Sequence, residues 1–427
     1  FLGKKAASRP TPPDWVYVNN FDQAHKPRSL RLPAGQGRRL RDDMEHFVEE
    51  LAGTIPAAFE GDEYRTHVQS IEDELKERQE NAFNELSQEA AKHDIKLFRT
   101  PSGFAFAPMR KGEVVGPDEF AKWSKKDQQH TEEIVSNLQE KLQRVVQQIP
   151  IWRREVRDRI KELNREVTMS VVGHLIDELK QRYTDLPDVT HYLDAVRQDV
   201  VDNVKDFIKG EESEGILGQQ QDPDPRALHR YKVNVMVDHS NTEGAPVTYL
   251  DNPTYLNLVG RAEHLAQYGA LVTDFTLLKP GAFHEASGGY LILDAHKLLT
   301  QMYAWEGLKR ALYADEIRIE SLEKMLSLVS TVSLEPEPIP LDVKVVILGD
   351  RFIYYLLHAY DPDFAELFKV AADFEGHIDR SEESQALYAR LIATLAQKER
   401  MRPFDRNAVA RVIEHGARLV EDSEKLT

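Results

Sequence analysis

The sequence predicts an α/β module interrupted by a long helical insertion and finished by C-terminal helices, mainly α overall. Three observations lead there. The short, wholly apolar run Tyr290–Leu293 reads as a strand buried on both faces, Val343–Leu348 reads as a further strand, and the strands alternate with helical stretches. Long apolar stripes at helical spacing fill residues 37–210, a region that is otherwise strongly charged. After Arg380 two more helical stretches follow, separated by Met401-Arg402-Pro403.

Taken in order, Trp15–Val18 alternates between Pro12-Pro13 and Asn19-Asn20 and reads as a strand. Tyr64, Val68, Ile71 and Leu75 form the first helical stripe, continued by Phe83, Leu86 and Ala90. Ile134, Leu138, Leu142, Val145 and Ile149 form a second, expected to break at Pro150. Val156, Ile160, Leu163, Val167, Val171 and Leu175 make a third, and Leu193, Val196, Val200 and Val204 a fourth. Narrow stripes on long helices predict a coiled-coil-like hairpin or bundle. Between the first two stripes, Phe104, Phe106 and Val114 are spaced for a hairpin around Lys111-Gly112. Such a hairpin is either a substrate-contacting tip or, more simply, a cap whose aromatic rings pack on the helices.

Glu211–Asp224, rich in Gln, Gly, Asp and Pro, predicts a mobile connection back to the sheet. Strands are then expected at 231–237, 289–294 and 343–348, with a further candidate at 368–374. Helices are expected at 298–312, 384–400 and 406–421, with the chain stopping inside the last helix at Glu424–Thr427. The domain reading is 1–36 for the first part of the α/β core and 37–210 for the helical arm, with its hairpin near 98–115. Residues 211–380 make the remainder of the core, and 381–427 a truncated helical lid.

Composition narrows the function. At 427 residues the chain has room for two or three domains, and 30% charged with 41% hydrophobic residues is ordinary for a globular protein. A net charge of −17, from 55 basic and 72 acidic residues, argues against nucleic-acid partners. Arg38-Arg39-Leu40-Arg41 and Arg153-Arg154 read as solvated helix faces. The absence of cysteine excludes disulfides and thiolate metal sites and is compatible with the cytoplasm. No apolar run reaches membrane-spanning length, and no signal segment opens the chain. An opening Phe1-Leu-Gly-Lys-Lys without methionine leads us to expect a piece of a longer polypeptide.

Asp294 carries the chemistry. It ends the apolar strand after the Gly288-Gly289 turn, where open α/β sheets place their ligands, and a carboxylate there can hold a magnesium ion. The same residue would equally cap the following helix. His284 and His296 flank the strand without metal-ligand spacing, so His284 is expected to pack or hydrogen-bond.

The stretch Lys279-Pro-Gly-Ala-Phe-His-Glu-Ala-Ser-Gly-Gly-Tyr-Leu-Ile-Leu-Asp294 resembles the Walker B strand of an AAA+ ATPase. Its wording is similar to the Lon group of ATP-dependent proteases, nearest the LonB and LonC types. Asp14–Phe21, Leu30–Gly35, Tyr231–Val237, Gly244–Val247, Asn252–Arg261, Ala304–Arg310 and Asp361–Lys369 recur in the same order in that family. The resemblance implies ATP and Mg2+ as cofactors of the intact protein, with Asp294 as the Walker B metal carboxylate. It also implies Asp350 as sensor 1, and Lys369 in the arginine-finger segment. Tyr255 and Leu256 fall where the family carries its aromatic–aliphatic pore-loop pair; otherwise Tyr255 is a buried ring beneath a loop. Also implied are a cytoplasmic homo-hexamer, unfolded protein substrates, no membrane, and an attached Ser–Lys peptidase domain.

Several parts depart from that pattern. No Gly-x-x-x-x-Gly-Lys-Ser/Thr loop occurs, and family order puts it before Phe1, so the fragment itself is expected to bind no nucleotide. Ala295 stands where an active site carries a catalytic Glu, Asp350 replaces the commoner Asn, and Lys369 lacks the planar fork of an Arg. No peptidase nucleophile motif is present, so no catalytic residue is assigned. The two readings are an ATP-driven feeder of a protease, inactive as a fragment, and an ATPase-impaired passive gate or interaction module.

Overall fold

The computed structural model describes residues 1–100, 103–110, 113–207, 228–267, 270–320 and 334–427. The expected connection at Glu211–Asp224 and the hairpin turn at Lys111-Gly112 lie outside the described residues. Two compact units emerge, Phe1–Ile353 and Tyr354–Thr427.

The first unit begins with α1 (Leu2–Ala7), β1 (Asp14–Val18) and β2 (Arg28–Leu32). The arm follows as α2 (Gln36–Glu60), α3 (Asp62–Ala91), β3 (Ile95–Thr100), β4 (Gly103–Arg110), β5 (Glu113–Val114), α4 (Pro117–Phe120), α5 (Lys125–Arg182) and α6 (Pro187–Asp202). Then come β6 (Val233–Val237), β7 (Val247–Leu250), α7 (Tyr255–Val259), β8 (Arg261–Ala262), β9 (Leu265–Gln267), β10 (Ala270–Val272) and β11 (Leu278–Lys279). The unit continues through α8 (Ala282–Glu285), β12 (Tyr290–Asp294), α9 (Ala295–Thr300), α10 (Ala304–Ala314), β13 (Glu316–Ile317), β14 (Ile339–Pro340) and β15 (Lys344–Leu348).

The expected 231–237 strand forms as β6, but it does not join the parallel sheet. It pairs antiparallel with β1, giving the order β2-β1-β6. The inward residues Val16, Val18, Leu30, Leu32 and Val233 share one core with Leu40, Met44, Phe47, Leu51 and Ile55 of α2, and with Val172 and Ile176 of α5. Asp14 locks this junction. It is fully buried, and its two carboxylate oxygens accept the amide N–H groups of Gly37 at 2.9 Å and His239 at 2.8 Å. A carboxylate accepting from the first turn of α2 satisfies orphan donors and faces the positive end of the helix dipole.

Pro150 does not end its helix: α5 runs unbroken from Lys125 to Arg182. A proline in a helix interior costs about 3 kcal/mol. Pro150 itself is exposed, and the packing nearest to it is made with α3, with Trp152 buried two residues later. Arg78 lies over the Trp152 ring, 4.8 Å from its centre, and pairs with Glu155 at 2.9 Å. Further along, Arg159 pairs with Glu74 and Lys141 with Glu89. At the end of the α3–α5 hairpin, β4 pairs with β3 and β5, and Leu86, Ala90, Ile95 and Leu138 form a small core with Phe106 against it. Phe104 stacks on Phe83, ring centres 4.5 Å apart. Two of the aromatic residues thus pack on the helices.

A second sheet is parallel, in the order β15-β12-β7, with β12 in the centre. The helix expected at 298–312 divides into α9 and α10, because Tyr303 adopts φ 63° and reverses the chain between them.

The second unit contains most of α11 (Arg351–Tyr360), α12 (Phe364–Leu367), β16 (Ile378–Asp379), α13 (Glu382–Lys398), α14 (Arg406–Val420) and β17 (Lys425–Leu426). No strand forms at 368–374: these residues follow α12 as an irregular segment with Val370 and Phe374 largely exposed. Nor does the chain stop inside a helix. Glu421 turns out of α14 with φ 59°, and β17 pairs with β16, burying Leu426 against Ile413 and Ala417.

Candidate functional site at the carboxyl edge of the parallel sheet

β12 is an apolar strand flanked on both sides, which is why Tyr290, Leu291 and Leu293 are buried and Asp294 emerges at its end. In register, Asp294 lies level with Leu348, so Asp350 follows two residues beyond on the neighbouring strand. Asp251 follows Leu250 at the end of β7. Three adjacent parallel strands therefore each deliver an aspartate to one edge of the sheet.

Asp294 is half-buried and caps α9, its Oδ1 accepting the Lys297 N–H at 2.9 Å. Asp350 is exposed and caps α11 in the same way, its Oδ1 accepting from Ile353 at 3.0 Å. The capping role that the sequence left open for Asp294 is thus present. One oxygen serves the cap, and magnesium asks for only one or two carboxylates beside phosphate and water. The donor set suits a magnesium ion brought with a nucleotide. Among the described residues no group of three or more His, Cys, Asp or Glu could hold a metal alone.

Two features of this edge escaped sequence reasoning. The Lys297 ammonium pairs with the Asp251 carboxylate, and that hydrogen bond is the main reason its pKa is raised. Ala295 is fully buried against Gly349: a Cβ added at Gly349 would stand 2.8 Å from Ala295 Cβ. Asp251 and Gly349 each directly follow an apolar strand run, a signal that position alone could have supplied.

The remaining predicted residues lie elsewhere. Lys369 belongs to the second unit and is exposed after the Phe364–Phe368 ring stack, centres 5.3 Å apart. Leu256 is half-buried on α7. Tyr255 is buried, and its pKa is raised by that burial. Its ring lies on Gly307 of α10, where an added Cβ would come within 2.5 Å of Cδ2.

Between α7 and α8 the chain forms a β-ribbon of two storeys, β8–β11 at the base and β9–β10 above. At its root, Gly260 (φ 94°) and Gly281 cross so closely that a Cβ on Gly281 would stand 2.4 Å from Gly260 N. His284 sits beneath this crossing, fully buried, with Nδ1 accepting the Gly281 N–H at 3.2 Å. Nδ1 therefore carries no proton, and Nε2 is buried with no hydrogen-bond partner among the described residues. Desolvation pushes its pKa down to about 4. The expectation that His284 packs and hydrogen-bonds holds in this geometry.

A parallel three-stranded sheet with a carboxylate ending its central strand, together with C-terminal helices, is the arrangement of an AAA-type ATPase module. Family comparisons agree along the chain. A family described as LonB-like, AAA domain matches residues 243–375. The Lon-like LonC helical domain matches 14–47, and the archaeal LonB AAA+ ATPase lid domain matches 403–427. A "Putative Lon protease homolog" of Haemophilus influenzae (strain ATCC 51907 / DSM 11121 / KW20 / Rd) is 32% identical over 126 residues, which are 29% of this chain and 20% of that protein. The chain spans about a fifth of that relative's length. Together these matches support a Lon-related family and a Lon-type AAA module. Among the described residues no helix is long and apolar enough to cross a membrane.

Proposed function

We propose that this chain is the AAA+ portion of a Lon-like ATP-dependent serine protease that recognises unfolded polypeptide and feeds it to a Ser–Lys peptidase domain of the intact protein. The carrying observation is Asp294 at the end of the central parallel strand, flanked by Asp251 and Asp350 on the adjacent strands. When bound, Mg-ATP would supply phosphoanhydride hydrolysis as the source of work. Asp294 would hold the magnesium through the oxygen not used by its cap, and Asp350 would face the phosphates from the next strand. Lys369 would contribute positive charge toward nucleotide, and Tyr255 would stiffen the base of the polypeptide-handling loop with Leu256 at its surface. In the intact protein the working form is a cytoplasmic homo-hexamer, and neither membrane nor nucleic acid is a partner.

A second reading is favoured by the buried contact of Ala295 with Gly349. The position next to Asp294 holds no carboxylate, and its alanine is buried beside Gly349, so nucleotide would bind without efficient hydrolysis. The intact protein would then act as a passive gate or interaction module.

Degradation of casein by the full-length parent, with and without ATP and magnesium, separates the two. Strong ATP stimulation that is lost in Asp294→Asn supports the motor. Equal cleavage without ATP supports the passive gate, and no cleavage in either condition overturns the protease reading.

A further inference from the structure

The helical arm carries opposite charge on two opposite faces at one height. On α5 the exposed run Arg153-Arg154 belongs to a longer pattern with Arg157, Lys161 and Arg165. At about 100° per residue these five cations fall within about 120° of the helix circumference. The groups of α5 that touch α3 here, Trp152, Glu155 and Arg159, lie on the other side of the helix. All five cations are exposed, and none has an ion-pair partner among the described residues. Asp158 borders this face, and no acidic residue lies within it.

On α3 the counterpart is Asp73, Glu77 and Glu80, all exposed and opposite the buried Ile71. Asp73 accepts a hydrogen bond from Gln69 Nε2 at 3.0 Å, and Lys76 borders the face. None of the three carboxylates has an ion-pair partner among the described residues. The cross-helix pairs Glu74–Arg159 and Arg78–Glu155 set the register, placing Asp73 level with Ile160 and Glu80 level with Arg153. The two faces therefore stand back to back. Like charges three and four residues apart destabilise a helix, so neither row is explained by the arm alone.

We propose that the basic face of α5 in one copy docks against the acidic face of α3 in a neighbouring copy, so that arms of adjacent copies stand side by side. This rests on the homo-oligomer reading. Each copy uses two different faces, so the contact is head-to-tail and propagates around a ring instead of stopping at a dimer. Charge complementarity chooses the occupant. A second copy offers its carboxylates at the matching height, whereas a polyanion would approach a chain of net charge −17 whose arm is acidic on the other side. Single exposed ion pairs contribute little and are screened by salt. The contact thus sets the register between copies already held in one assembly, where the local concentration of the partner face is high.

The test is cross-linking in the full-length parent carrying Glu77→Cys/Arg157→Cys, with any cysteine elsewhere changed to serine; this chain has none of its own. Within one arm the two positions lie on opposite sides of a helix pair, about 20 Å apart and beyond a two-carbon bismaleimide, so the reagent joins separate copies. Expected at low ionic strength is a ladder of products beyond the dimer, weakened by added salt. Arg153→Glu/Lys161→Glu should cut the yield about fivefold, and adding Asp73→Lys/Glu80→Lys in the same chain should restore most of it. A misfolded arm would not be rescued by that second reversal. An assembled parent that gives no cross-link, a product that stops at the dimer, a yield unchanged by the first reversal or a loss not restored by the second overturns the proposal. So does loss of heparin retention in Arg153→Glu/Lys161→Glu with unchanged cross-linking, which assigns the face to a polyanion. A parent that sediments as a monomer overturns the oligomer reading and this contact together, whereas an intact ring without the cross-link overturns the contact alone.

Discussion

Acidification should weaken the first unit through His284. The ring is fully buried beneath the Gly260–Gly281 crossing and holds no proton on Nδ1, and its pKa falls from 6.5 to about 4 because burial penalises the charged form. Between these values the unfolded chain binds a proton that the folded chain refuses, so stability rises with pH across the window. The contribution is complete above 6.5 and is lost as the pH falls towards 4. At 1.36 kcal/mol for each pH unit, the gap amounts to about 3 kcal/mol. All four tryptophans, Trp15, Trp123, Trp152 and Trp305, lie in this unit, so urea unfolding followed by tryptophan fluorescence reports on it. His239, also buried with a lowered pKa, acts in the same direction, as does protonation of paired carboxylates. The informative quantity is therefore the difference between the unaltered chain and His284→Asn, which keeps an acceptor near Nδ1 but does not titrate. Between about pH 7.5 and about pH 4.5 the unaltered chain should lose some 2–3 kcal/mol more than the variant. Identical pH profiles for the two proteins would refute the reasoning.

Three other outcomes follow from contacts described above. Asp14→Ala strips two buried amide donors of their charged acceptor and should destabilise the first unit by about 3 kcal/mol, read as a lower urea midpoint with unchanged m value. Gly307→Ala drives a methyl group into the Tyr255 ring and should cost about 1–3 kcal/mol, with Tyr255→Leu in the same chain restoring part of the loss. Ala295→Glu should lower stability by about 2–4 kcal/mol, because it buries an unpaired carboxylate against Gly349, and it should not raise ATP hydrolysis by the full-length parent. A malachite-green phosphate assay showing a clear gain would remove the support for the passive-gate reading.

Local pattern made much of this protein legible. Strands with unbroken apolar runs or clean alternation, β1, β12 and β15, form where their residues say; β1 and β12 are largely buried, while β15 is half-exposed at the edge of its sheet. The stripes of α3 and α6 are visible for the same reason, and so are the C-terminal helices α13 and α14. Asp294 could be singled out because a lone carboxylate ending an apolar strand is conspicuous in one dimension. Tertiary structure decided the rest. Whether Val233–Val237 joined the parallel sheet or paired with β1, over 200 residues away, depended on a core that α2 and α5 complete. Pro150 stays inside a helix that packs on α3 beside it, through Arg78, Trp152 and Glu155, a contact that propensity alone cannot express. Lys425-Leu426 becomes a strand only because Ile378-Asp379 is there to pair with it. The same holds at the candidate site, where Lys297 and Asp251 are far apart in sequence and Ala295 meets Gly349 across two strands. Periodicity reports which face of an element avoids water; which partner covers that face is a matter of long-range packing, and the sheet-edge chemistry is set there.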